Sequence, residues 1–191
     1  MGQPDRLGPD IWNETLASNA WYLNDTPTHN LYSPIMFRAY SEDLCMSSHG
    51  WTCQNAADSL FTPDEETGEL LVDLLSIDTV QILRDPEDTD GTQLAARMVP
   101  DGWSEVERTD DAVTWVRDEP LESNGEASWS SPGTSVTTLS DSSQELVLRV
   151  DQVPAEGGEV VLSRLAWPGY EVEGGSLADP LRGYLLTVDV P

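Results

Sequence analysis

The chain reads as an α+β protein: a mixed α/β part over residues 1–102 with two short helices, packed on an antiparallel β-sandwich over residues 103–191. Three observations predict this. Leu70, Leu71, Leu74 and Leu75 recur at helical spacing behind a proline and three acids. From Trp103 onward, short alternating runs return at regular intervals, as in an all-β sandwich. Between them lie clusters of Gly, Pro, Ser and Asp, the residues that turns need. The two parts are expected to form one packed unit.

The first 55 residues are rich in aromatics (Trp12, Trp21, Tyr22, Tyr32, Phe37, Tyr40, Trp51) with little clean period. They read as an irregular packed segment with short strands at 21–23 and 35–40, interrupted by Pro27 and Pro34. Residues 55–61 suit one helical turn. Thr62 reads as an N-cap, with Pro63 at the first helical position and Glu65 completing a capping box. This helix should end near Ser76, and 77–83 (IDTVQIL) reads as a buried strand. A polar turn, DPEDTDG, follows. Residues 92–99 form the second predicted helix, stopped by Pro100 and Gly102.

Residues 103–108 and 112–116 alternate around Thr109-Asp110-Asp111, as a hairpin does. The stretch 119–132, rich in Ser, Gly and Pro, reads as a linker or long loop. Strands are then expected at 135–139, 145–150, 158–165, 170–173 and 184–190. In the last, alternation puts Leu186, Val188 and Val190 on a core face and Leu185, Thr187 and Asp189 on a face that can be wet.

Composition excludes some partners. Thirty-five acids oppose nine Arg and no Lys, for a formal net charge of −26 in 191 residues. Such a chain is repelled by nucleic-acid phosphates and anionic lipid head groups. A solvated acidic surface explains the charge more simply than a cation site, because no ligand-spaced cluster stands out. In DPEDTDG, matching Gly91 to the glycine of a calcium loop would put Pro86 and Arg97 at ligand positions, where neither can serve. The start, MGQPDRLGPD, lacks the apolar core of a signal peptide, and no run approaches the roughly 20 apolar residues of a spanning helix.

The segment 157–191, GGEVVLSRLAWPGYEVEGGSLADPLRGYLLTVDVP, runs from an apolar strand through a Trp-Pro-Gly-Tyr corner and a Gly-Gly turn to a second strand. It resembles the extracytoplasmic C-terminal domain of YfhO-type bacterial multi-spanning membrane proteins. TGELLVDLLSIDTVQIL (67–83) is similar to that family's helix running into a strand, and GWSEVERTDDAVTWVRDEP (102–120) to its short hairpin. NAWYLND, NLYSPI and DLCMSSHGWTC look like an actinobacterial version of the same ectodomain. Where the family often has an Asp-Gly turn, this chain has Glu173-Gly174-Gly175.

The resemblance implies a piece of a polytopic, glycosyltransferase-like membrane protein at the extracytoplasmic face of the bacterial membrane. Its own transmembrane region would be one partner and a cell-envelope glycan another. The family's proposed catalytic acids lie in loops of the membrane part, so no catalytic residue carries over to this chain. No cofactor and no metal are implied. The resemblance also implies that a further strand follows the last one here, leaving 184–190 at a sheet edge.

Outside the cytoplasm, Cys45 and Cys53, which enclose MSSHGWT, read as a disulfide closing a short loop. The rival is a metal site with His49, but structural zinc takes four protein ligands and few candidates remain. Trp51, Trp129, Trp167 and Tyr170 lie near turns and are candidate glycan-stacking residues, against the plainer role of core packing. Carboxylates are too numerous for any pair to be singled out; Asp43, Asp58 and Asp73 are no better than the rest. Three functions compete: a non-catalytic ectodomain that binds or positions a glycan, a purely structural ectodomain, and a secreted carboxylate-pair hydrolase.

Overall fold

The computed structural model describes residues 35–47, 52, 55–84, 93, 97–121, 127–142 and 144–191. Among these the protein is β-rich α+β, with antiparallel sheets and three short helices. The helices are α1 (Arg38–Asp43), α2 (Ala56–Leu60) and α3 (Leu71–Leu74). The chain divides into two compact units interleaved in sequence. One includes Ser41–Ser59 and Asp78–Pro120; the other comprises Phe37–Tyr40, Leu60–Ile77 and Leu121–Pro191.

The first unit holds a three-stranded sheet of β1 (Thr79–Leu83), β2 (Trp103–Arg108) and β3 (Ala112–Arg117), in the order β1-β3-β2. The hairpin β2–β3 follows from its turn chemistry. Thr109 Oγ1 accepts the N–H groups of Asp111 (3.2 Å) and Ala112 (3.0 Å), and the Thr109 N–H reaches the Ala112 carbonyl at 2.8 Å. A register shift between Glu105 and Glu107 makes β2 irregular and leaves Val106 exposed. The expected buried strand at 77–83 is instead an edge strand in which only Val80 is buried. Central β3 takes the core positions, with Ala112, Val113 and Trp115 inside. Beside it the Arg117 guanidinium lies 4.8 Å from the centroid of the buried Trp103 ring, and its Nε is 3.3 Å from Asp78.

The second unit is built on a four-stranded antiparallel sheet of β4 (Ala127–Ser130), β7 (Gly158–Leu165), β9 (Leu185–Val190) and β8 (Ser176–Leu177), in that order. Between β4 and β7 in sequence comes the hairpin of β5 (Ser135–Asp141) and β6 (Leu146–Gln152). Val160, Leu162, Leu186 and Val190 form one buried cluster, and Val136, Leu146 and Leu148 of the hairpin pack against it. α3 lies against β4 and β7. Its residues Leu71, Val72 and Leu74 are fully buried, as are Val161 and Leu185 of the sheet.

Several expectations are corrected here. Part of the supposed linker at 119–132 is strand β4, whose polar ASWS sequence hid its role; Trp129 pairs with Val161. Residues 170–173 are not a strand; the pairing falls to Ser176–Leu177. The segment at 35–40 is not a strand, because α1 begins at Arg38. Its aromatics Phe37 and Tyr40 stand three apart, a spacing that suits one helical face rather than a pleat.

The capping box at Thr62 does not form. Asp64 is the acceptor instead: its Oδ1 takes the N–H groups of Glu66 and Thr67, each at 3.0 Å, and the Thr67 hydroxyl at 3.1 Å. That side-chain turn competes with helix. Residues 65–67 therefore reverse the chain, Pro63 bridges to Leu70, and α3 starts only at Leu71 without a side-chain cap.

The last strand is also corrected. β9 is not at a sheet edge; it lies between β7 and β8. Thr187, expected on a wet face, is 4 % exposed. Its Oγ1 accepts the Leu181 N–H at 3.1 Å and donates to the Leu185 carbonyl at 3.1 Å. The segment before β9 folds back on that face, so both faces of the strand's first half are covered. Two glycines permit the close approaches at the other end of the sheet. A Cβ on Gly158 would stand 2.0 Å from Thr134 Oγ1, and one on Gly175 would stand 2.4 Å from the Asp189 carbonyl oxygen.

Candidate functional site

After β7 the chain leaves the sheet through Ala166 and Trp167. Pro168 and Gly169 turn it, and Tyr170 follows. Pro168 supplies the φ needed at the first central position, and Gly169, at φ 108°, supplies the positive φ needed at the second. Trp167 and Tyr170 thus flank one tight turn. Trp167 is 40 % exposed and Tyr170 is 37 % exposed. The Trp167 ring is not loose. Phe37 meets it edge-to-face, with ring centroids 5.0 Å apart and an interplanar angle of 74°. Ala166 donates its N–H to the Tyr184 carbonyl at 2.8 Å, which ties the root of the turn to the start of β9.

The turn stands over a rigid base. Tyr184 is fully buried and meets buried Tyr40 edge-to-face at 5.3 Å. Burial pushes the Tyr40 phenol well above its ordinary value. Arg182, at φ 55°, donates from Nε to the Tyr184 hydroxyl at 3.1 Å and from Nη1 to Asp64 Oδ2 at 3.1 Å. Asp64 is 5 % exposed. Burial alone would raise its carboxyl, but hydrogen bonds from Thr67, Arg182 and Glu66 outweigh that and hold it below the usual range. This group is a tether: Asp64 Oδ1 accepts three hydrogen bonds and Oδ2 one, all from within the protein.

The sequence-predicted aromatics divide. Trp167 and Tyr170 come together at the turn. Trp129 does not join them; it is half-buried on β4, opposite Val161, which lies four residues and so roughly 13 Å before the end of β7 and six residues before Trp167. Trp51 lies outside the described residues, as does Cys53. Cys45 is exposed just beyond α1. Sequence reasoning missed Phe37 as the ring that positions Trp167; its one signal was the spacing Phe37–Tyr40 within an aromatic-rich segment.

A second surface feature lies at the far end of the same sheet. Glu156, Gly157, Gly158, Glu159, Gly175 and Asp189 contribute to an open hollow of about 720 Å³. Glu159 stands directly opposite Asp189 in the β7–β9 register. Ser176 donates to Asp189 Oδ2 at 3.4 Å. Among the described residues, no three His, Cys, Asp or Glu side chains are grouped so as to hold a metal ion, and no helix is long and apolar enough to cross a membrane.

The chain matches no family model, no curated protein and no solved structure. What the turn offers is two large ring surfaces, both partly solvated, of which Trp167 is held by Phe37. Ring faces of this kind stack on the C–H faces of pyranoses, and little ordering entropy remains to be lost when the ring is already held.

Proposed function

We propose that this chain is a non-catalytic extracytoplasmic domain of a YfhO-like polytopic membrane protein, and that it binds or positions a cell-envelope glycan through Trp167 and Tyr170. One observation carries the glycan reading. Trp167 is held two-fifths exposed by an edge-to-face contact with Phe37, beside a second exposed ring across a Pro-Gly turn. Trp103 and Trp115, by contrast, are buried, at 6 % and 3 % exposure. We also read the four-stranded sheet and the β5–β6 hairpin as the two layers of a β-sandwich, on the strength of the apolar cluster between them. The chain is read as performing no reaction of its own. In an extracytoplasmic setting Cys45 and Cys53 would be oxidised to a disulfide.

The test is a titration with the β-1,4-linked tetramer of N-acetylglucosamine, followed by tryptophan fluorescence and calorimetry and backed by a glycan array. Saccharide binding is expected, weakened at least about tenfold by Trp167→Ala. A blank array, or binding indifferent to Trp167→Ala and Tyr170→Ala, would reject the reading. The address is tested separately: the hydropathy of the full-length gene product should show many spanning helices.

A second reading has its own support. Leu139, Val147 and Val150 are exposed on the β5–β6 hairpin. An ectodomain that simply packs on its own membrane part would need such a surface. Cross-linking from Val147→Cys to the parent's membrane region, with no saccharide bound anywhere, would favour it.

A further inference from the structure

The turn that carries Trp167 and Tyr170 has an unbalanced charge. Tyr170 runs directly into Glu171 and Glu173, both exposed, and Asp179 follows. No Arg occurs between positions 165 and 181. The two that bracket the segment are engaged elsewhere: Arg164 pairs with Asp141, and Arg182 with Asp64. Arg97, Arg108, Arg117 and Arg149 likewise pair with Asp58, Glu105, Asp78 and Asp151. Glu171 and Glu173 have no ion-pair partner among the described residues. Six of the nine Arg are thus engaged in ion pairs elsewhere, and none of these pairs reaches Glu171 or Glu173.

Two exposed rings on a turn that runs directly in sequence into exposed, unpaired carboxylates are complementary to one chemistry in particular. The ring quadrupole is negative on its face and attracts a cation, and a nearby carboxylate does the same. An anionic saccharide would meet repulsion from both. We infer that the Trp167–Tyr170 turn selects saccharides bearing a protonated amine over neutral or anionic ones, with Glu171 and Glu173 supplying the selection. The inference rests on the reading of this turn as a glycan site and adds the ligand's charge.

The experiment compares two tetramers with the same β-1,4-linked backbone, glucosamine and N-acetylglucosamine, at pH 6, where the free amines are protonated. Short oligomers limit diffuse attraction to a protein of net charge −26. The glucosamine tetramer should bind at least about tenfold more tightly at low salt, and the preference should shrink at about 0.5 M salt. The double variant Glu171→Gln/Glu173→Gln should lose the preference while keeping its affinity for the N-acetylated tetramer. Trp167→Ala should weaken both. A control, Glu145→Gln/Glu156→Gln, removes the same charge from other exposed positions of the same unit and should retain the preference. Equal affinity for the two tetramers, or a preference that survives the Glu171/Glu173 change, would overturn the inference and leave the glycan reading standing. A control that erases the preference equally would assign it to the diffuse acidic surface and also overturn it. Failure of both tetramers to bind would remove this inference together with the reading beneath it.

Discussion

Arg182 and Asp64, 118 positions apart in sequence, meet at 3.1 Å between Nη1 and Oδ2 and join the Asp64 turn to the base of the Trp167 loop. Asp64 is the more deeply buried partner, and it also receives three hydrogen bonds from Glu66 and Thr67. Asp64→Ala should therefore destabilise the second unit by about 2–3 kcal/mol, and Asp64→Asn, which keeps an acceptor, by less. Urea denaturation followed by circular dichroism measures both. Equal stability of the alanine variant would show that the pair is ornamental.

The same carboxylate sets a sign for pH dependence. Its folded-state pKa is lowered, so the unfolded state holds more protons as pH falls. The stabilisation is complete above about pH 4 and is lost as pH drops through the folded value. Relief of repulsion among the other acids acts in the opposite direction. The informative quantity is therefore the difference between wild type and Asp64→Asn, which should narrow as pH falls below about 4. A difference that stays constant over that range would contradict the assignment.

Thr187 offers a sharp test of the β9 environment. Thr187→Asp should cost more than about 3 kcal/mol, because the new carboxylate would be buried without a partner. Thr187→Val preserves shape but strips the Leu181 N–H of its acceptor and should cost about 1–2 kcal/mol. Thermal unfolding of the two variants ranks them. An aspartate tolerated at 187 would mean that this face is wet after all.

Glu159 and Asp189 face each other across β7 and β9, and like charges directly opposite in a sheet repel. Glu159→Gln should stabilise the protein by roughly 0.2–1 kcal/mol at low salt, and the gain should fade as salt is raised. A loss of stability would indicate that the pair is held by something other than solvent.

Gly158→Ala should destabilise by about 1–3 kcal/mol, since the added methyl would overlap Thr134 Oγ1. Adding Thr134→Ala should return part of that loss. No recovery in the double variant would point to the backbone rather than the hydroxyl.

Strand positions were legible where side chains alternate in long enough runs. β7 spans the segment read from its apolar run, and the β2–β3 hairpin was visible in Thr109-Asp110-Asp111. β4 was not legible, because ASWS carries no apolar period and derives its place from pairing with β7. Thr187 misled because alternation assigns one wet face to a strand, whereas β9 is covered on both sides. The start of α3 misled because Thr62 and Asp64 both offer a capping oxygen, and the one that wins also gains a distant arginine. Of the site, Trp167 and Tyr170 could be named from Pro168-Gly169 between them. Phe37 could not, since its contact spans 130 positions of chain that local spacing does not report.

The order β4-β7-β9-β8 has a consequence for how the protein is made. The strand in contact with both β7 and β8 is the last of the four to be synthesised. Until Val190 has left the ribosome, β7 has no neighbour on that side, and until β7 itself is out, α3, made about eighty residues earlier, lacks one of the two strands it packs against. At ordinary rates of chain growth that interval is on the order of ten seconds. The three-stranded sheet of the first unit, complete by Arg117, can form well before then. Nascent chains halted between residues 120 and 180 should therefore expose Leu71, Val72 and Leu74 to chaperones and proteases, which is where a slow ribosome would do this protein the most harm.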